Sequence, residues 1–454
     1  MLAPLVSHQK TLAMKPKILF ITPYIPYPLD SGGNQAFFNM VDYLRRSVSV
    51  SILLHPRTAG QKADVEQLKA LWPDVGFFLY EPRKEEEPMP FVKHPLYYKW
   101  LLKMQASIKR KLRRQLRKMP RLAGRDAEVD LMRQKTVIPT SIFERLDSGY
   151  LNFVARTARL GFDIVQVEFY DLISLGYVLP DDVETIFVHH ELRYVRNENE
   201  MALFREVTAE DRMLFHIAKG YERDALSRYK HVIALTEIDR KLLEEFLGRK
   251  ERIYTSPAVV NVSQGDAGDF VPCTAGRLTF VGSESHTPNL DAVVWMCQEV
   301  IPRLRLRGEK FTFQVIGKWR SSYVRELCRL CPEMELMGYV DDLRAFLKGS
   351  IAVVPIRIGS GMRMKILDAI AARCPFVTTA KGVEGIDLEN GRECLMADDP
   401  DAFADAIIRL AGDTGLQEQF VQAAAARLGE LYNPEQMQER RLGIYRDILQ
   451  RSDM

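Results

Sequence analysis

The sequence predicts an α/β protein built from two doubly wound, Rossmann-like parallel-sheet domains, and three observations carry that prediction. Its 454 residues exceed what one hydrophobic core usually organises. Short, continuously apolar runs recur along the whole length, as expected of strands covered on both faces, and helical periodicity separates them. A turn-rich break, PAVVNVSQGDAGDFVPCT at Pro257–Thr274, divides the runs into two sets.

The first set opens with KILFIT from Lys17, followed by the turn-rich PYIPYPLDSGGNQ, a helical pattern over Ala36–Arg46 and a second apolar run, VSVSILL. Strand, glycine loop, helix and strand in that order form a βαβ unit with parallel strands and a right-handed crossover. IVQVEF, TIFVHH and HVIALT continue the domain. After the break the pattern restarts with RLTFVGS, FTFQVIGK, ELMGYV, IAVVPIR, PFVTTA and CLMA. The expected organisation is an extension outside the fold at 1–14, a first domain at 15–258 interrupted by a basic insertion at about 83–140, and a second domain at 259–433. A final helix at 434–454 is expected to return to the first lobe by analogy with other two-lobed enzymes.

Composition excludes several classes. Hydrophobic residues at 46% and charged residues at 27% describe a packed globular chain. No run approaches the roughly 20 apolar residues of a membrane span, and the first residues lack a secretory apolar region, so a cytoplasmic location is expected. Six cysteines, all in the second half, read as reduced thiols; Cys328 and Cys331 form a C-x-x-C but no second ligand pair accompanies them. A net charge of +3 gives no reason to expect a nucleic-acid partner. The segment 93–121 nevertheless holds eleven lysines and arginines and no acidic residue, with Met104, Ile108, Leu112, Leu116 and Met119 at helical spacing. It reads either as a solvated helix packed by that stripe or as a contact to an anionic membrane at the inner face.

The stretch IAVVPIRIGSGMRMKILDAIAARCPFVTTAKGVEGI carries the most chemistry. A strand runs into a loop holding Gly359, Ser360 and Gly361, and a helix follows with Arg363 and Lys365 in its first turn. Backbone N–H groups of such a loop and two adjacent cations can neutralise a diphosphate without a metal. Asp368, one turn on, suits a ribose or sugar hydroxyl. An isolated G-x-G before a helix would be an ordinary helix start; AKGVEGI after the next strand argues for a site.

GSGMRMKILDAIAARCPFVTTAKGVEGI resembles the donor-site segment of retaining GT-B glycosyltransferases of family 4, the glycosyl transferases group 1. FVGSESHTPNLDAVVWM, MGYVDDLRAFL, HVIALTEIDRKLL and ITPYIPYPLDSGGNQ are similar to further segments of that family, so the resemblance spans almost the whole chain outside the insertion. It implies a GT-B fold with a central cleft, a UDP- or GDP-sugar donor, no cofactor or metal, and a glycan or glycolipid acceptor. It implies that Arg363 and Lys365 stabilise the departing diphosphate and that Asp368 takes the second carboxylate position of the family's E-x7-E motif. Ser360 then stands where the first carboxylate belongs. Gly32, Gly33, Gly282, Gly317, Tyr339 and Val340 match donor-binding positions, and His190 matches the histidine facing the reacting sugar, with His189 as the competing register. Glu168 and Glu191 are weaker candidates for the acceptor side. A sugar-nucleotide epimerase or hydrolase, or a non-catalytic scaffold, are the alternatives on the same fold.

Overall fold

The computed structural model describes residues 15–29, 32–82, 132, 135–258, 270–274 and 276–452. The expected extension at 1–14, the basic helix at 93–121 and most of the inter-domain break lie outside the described residues. Seven parallel strands form the first sheet: β1 (Lys17–Ile21), β2 (Ser49–Leu54), β3 (Gly76–Leu79), β4 (Ile164–Glu168), β5 (Glu184–His189), β6 (His231–Ala234) and β7 (Ile253–Thr255). Their order is β3-β2-β1-β4-β5-β6-β7. Six parallel strands form the second: β8 (Arg277–Val281), β9 (Thr312–Ile316), β10 (Met334–Gly338), β11 (Ile351–Val354), β12 (Phe376–Thr378) and β13 (Leu395–Met396). These run β10-β9-β8-β11-β12-β13.

Both orders reverse once, between β1 and β4 in the first sheet and between β8 and β11 in the second. At such a switch point the connections leave to opposite faces and open a crevice at the carboxyl ends of the strands. The apolar runs explain why the strands pack there: β4 is buried at every residue and β1 at all but its first. In the first lobe Phe187, Leu226 and Tyr229 close the core, with the Tyr229 hydroxyl donating to the Ile173 carbonyl at 3.0 Å. Two strands were not foreseen, β3 and β7, and both are edge strands.

The helix Pro434–Ser452 follows the second lobe in sequence and packs on the first. Its Arg441 donates from Nε to Ser256 Oγ at 2.8 Å, and its Tyr445 hydroxyl donates to Gln166 Oε1 on β4 at 2.7 Å. All six cysteines are unbridged. No helix among the described residues is long and apolar enough to cross a membrane.

Candidate active site

The loops leaving β1, β4 and β5 in the first lobe and β8 and β11 in the second face a common cavity of about 530 Å³. Its wall includes Tyr24, Gly33, Phe169, His190, Glu191 and Arg193 from the first lobe, and His286, Asn289, Ser360, Arg363 and Lys365 from the second.

Alternation along β5 decides between the two histidines, because successive strand residues point to opposite sides. His189 is buried in the lobe, its Nε2 2.8 Å from Glu222 Oε1. The same carboxylate accepts from the backbone N–H groups of Arg193 and Tyr194 at 2.9 and 2.7 Å, which satisfies the start of the helix Arg193–Ala202. His190 lines the cavity, with Nε2 2.7 Å from Glu168 Oε2 and its ring stacked on Phe169 at 3.9 Å and 7°. Phe169 holds φ 68° and ψ 147°, backbone space that L-residues rarely enter and that costs on the order of 1–3 kcal/mol. The strained turn sets its ring between His190 and Tyr24, with whose ring it makes an edge contact at 5.0 Å. Glu168 is therefore the partner of His190, fully buried at the end of β4.

The glycine loop after β11 is docked on the first lobe. Gly359 N–H donates to Asn199 Oδ1 at 3.2 Å, Gly361 N–H to Asp239 Oδ2 at 3.1 Å, and Ser360 Oγ accepts from Leu192 N–H at 2.6 Å. Gly361 has φ +80°, and a Cβ there would stand 2.2 Å from the His190 carbonyl oxygen, so glycine is required twice over. The expectation that Gly359 and Gly361 offer their N–H groups to an anion is corrected by these bonds: first-lobe side chains already hold both.

The cations remain. Arg363 is buried; its Nη1 donates to the carbonyls of Ser360 and Gly361, the latter at 3.0 Å, while Nε and Nη2 are buried without a partner among the described residues. Burial lowers its guanidinium from its ordinary value. Lys365 Nζ donates to Asn289 Oδ1 at 2.6 Å and lies 4.8 Å from the centre of the Phe280 ring. Burial, then the charge of Arg363, brings its ammonium down to about 7. Glu191 is held by Arg196 Nη1 at 3.0 Å and stands 3.7 Å from His286 Nε2; burial opposes ionisation, but these charges keep it well below the usual carboxylate range.

Several expected residues do not reach the cavity wall. Asp368 lies one turn beyond Lys365, where burial raises its carboxyl to about 6 against the charges of Arg344 and Lys365. Tyr339 is exposed and Val340 half-buried at the end of β10, outside the lining. Gly282 and Gly317 serve the sheet: a Cβ on Gly317, at φ +126°, would lie 2.3 Å from the Gly282 carbonyl oxygen. Gly33 lines the cavity beneath the Phe169 ring, and Gly32 begins the helix Gly32–Leu44. The sequence reading missed Arg196, which donates to Glu200, to Glu191 and, across the lobes, to Thr287 Oγ1 at 3.0 Å. Its i,i+4 spacing to Glu200 was the available signal. It also missed Glu222, Asp239 and His286, whose contacts to His189, Gly361 and Glu191 span distant parts of the sequence. Among the described residues no three His, Cys, Asp or Glu side chains converge to hold a metal ion.

Residues 275–413 match the family model of glycosyl transferases group 1. No curated protein matches the chain by sequence. Among solved structures, a variant of S. aureus TarM in complex with Fondaparinux, alpha-GlcNAc-glycerol and UDP is similar over 95% of this chain and 100% of its own, at 12% identity and TM-score 0.64. Sucrose-phosphate synthase from Thermosynechococcus elongatus is similar over 96% and 99%, at 13% identity and TM-score 0.63. Anabaena HepE in complex with UDP and glucose is similar over 95% and 100%, at 12% identity and TM-score 0.59. The architecture is that of the GT-B fold.

Proposed function

We propose that this chain is a glycosyltransferase that moves a sugar from a UDP- or GDP-sugar donor to a hydroxyl of a glycan or glycolipid acceptor, with retention at the anomeric carbon and without a metal. One observation carries the reading: Arg363 stands in the cavity wall with two buried N–H donors unpartnered, beside the half-buried ammonium of Lys365. Unpaired buried donors and cations are costly, and a diphosphate is the ligand whose oxygens and charge would complete both. The match of the second lobe to group 1 glycosyltransferases and the UDP complexes of TarM and HepE support the choice of anion.

In the reaction, the bond from the anomeric carbon to the diphosphate breaks as the acceptor oxygen bonds the same face of that carbon. The acceptor's proton passes to a phosphate oxygen of the leaving group. Arg363 and Lys365 take up the charge that develops on the diphosphate, the position where a fixed donor lowers a barrier most. His190, oriented by Glu168 and Phe169, borders the sugar. NMR of the product's anomeric configuration tests retention, and consumption of donor without acceptor distinguishes an epimerase or hydrolase. Activity that survives EDTA supports metal independence; activity lost in EDTA and restored by a divalent cation refutes it. The basic segment 93–121 is proposed to bring the enzyme to anionic lipid, which salt-dependent cosedimentation with anionic but not neutral vesicles checks.

A further inference from the structure

Three buried polar groups, Tyr445, Gln166 and Glu168, and the partly exposed His190 form a continuous chain between the C-terminal helix and the cavity. Tyr445 OH donates to Gln166 Oε1 at 2.7 Å, Gln166 Nε2 donates to Glu168 Oε1 at 2.5 Å, and Glu168 Oε2 lies 2.7 Å from His190 Nε2. Tyr445, Gln166 and Glu168 are each no more than 1% exposed, so bulk solvent does not reach them. Gln166 is itself an oddity, a polar residue at the centre of a strand whose neighbours Val165 and Val167 are fully buried.

Donor and acceptor rules fix the polarity of this chain. Gln166 donates its amide N–H to Glu168 Oε1, and a carboxylate that accepts on both oxygens takes its second N–H from His190 Nε2. The amide then turns its oxygen towards Tyr445, whose hydroxyl supplies the matching proton. A neutral His190 that donates from Nε2 to Glu168 keeps a lone pair on Nδ1, in a side chain that lines the cavity. We infer that Tyr445 and Gln166 are positioning residues that, through Glu168, hold His190 in the tautomer presenting Nδ1 as an acceptor to the sugar. This role in the reaction rests on the proposed glycosyl transfer, but the tautomer itself does not. Without the Tyr445 hydroxyl the Gln166 oxygen has no donor; the amide is free to turn its oxygen to the carboxylate, and the hold on the imidazole loosens.

The test reads the tautomer directly, in the ligand-free full-length protein, from long-range ¹H–¹⁵N spectra of the imidazoles above pH 8, with the His190 signals assigned by their loss in H190N. In the wild type His190 is expected as the Nε2–H tautomer. In Y445F its two nitrogen shifts should move towards each other as the second tautomer is populated, and Q166M should do the same if Y445F folds poorly. E168Q should move them too, and Y445F in the E168Q background should add nothing. A purely structural Tyr445 would lower the melting temperature and leave the His190 shifts at their wild-type values, which overturns the inference. With donor and acceptor supplied, Y445F should lose roughly fivefold in kcat, the equivalent of one hydrogen bond, with donor KM nearly unchanged. Shifted spectra in a protein that transfers no sugar would sustain the relay and sink the functional reading; normal spectra in an active enzyme would do the reverse.

Discussion

Replacing Arg363 by Met separates folding from ligand binding, because its nitrogens have different employment. Nη1 is bonded to the carbonyls of Ser360 and Gly361, and Nε and Nη2 have no partner among the described residues. R363M forfeits two hydrogen bonds from a charged group, worth about 1.5–3 kcal/mol each, but removes a buried cation and two orphaned donors costing about 1–3 kcal/mol apiece. These contributions nearly cancel, so the ligand-free variant should keep its stability to within about 2 kcal/mol by urea denaturation. A nucleoside diphosphate gains its bonds from the two free donors, and their loss should cost about 3–6 kcal/mol, or roughly 10²- to 10⁴-fold in Kd. Calorimetric titration with UDP and GDP supplies the second number. A variant strongly destabilised without ligand, with nucleotide affinity intact, would refute the assignment of Arg363 as an anion donor.

Lys365 should make binding proton-linked. Its pKa is lowered by burial and by Arg363 from 10.5 to about 7, so the unfolded chain binds more protons between those values, and this group makes stability rise with pH across that window and leaves it flat below. A bound diphosphate favours the ammonium, so titrations at pH 8 in buffers of different ionisation enthalpy should report proton uptake, and none would contradict the role. S360A leaves the buried Leu192 N–H without its acceptor and should cost about 1–3 kcal/mol of stability; no change would mean the loop is undocked in solution. G361A places a Cβ 2.2 Å from the His190 carbonyl at φ +80°, so the lobes must part. Scattering should then report a larger radius of gyration than in the wild type, and an unchanged radius would argue against the contact.

What the sequence made legible follows from which interactions are local. The five inner strands of the first sheet and β8, β9, β11 and β12 of the second announce themselves as apolar runs, since burial on both faces demands it, and the second sheet's edges β10 and β13 are short runs marked by Met334, Leu336, Leu395 and Met396. Edge strands β3 and β7, of four and three residues, carry partly buried side chains and leave no such mark. Arg363 and Lys365 were visible because glycine loop, helix start and charge lie within seven residues. Glu168 was visible as a strand-end carboxylate but its partnership with His190 was not, because register between parallel strands separated by a crossover sets it. The loss of the Gly359 and Gly361 N–H groups to Asn199 and Asp239 depended on contacts spanning 160 and 122 residues, beyond any local pattern. Asp368 fell outside the wall because sharing a helix face with Lys365 does not place both in the same cavity.

The central claim is that this cavity binds a nucleoside diphosphate through Arg363 and Lys365. A crystal structure of the protein soaked with UDP or GDP tests it most directly. Phosphate oxygens within about 3 Å of Arg363 Nε or Nη2 and of Lys365 Nζ are the predicted result. A nucleotide bound elsewhere, with Arg363 Nε and Nη2 still unpartnered, would contradict it.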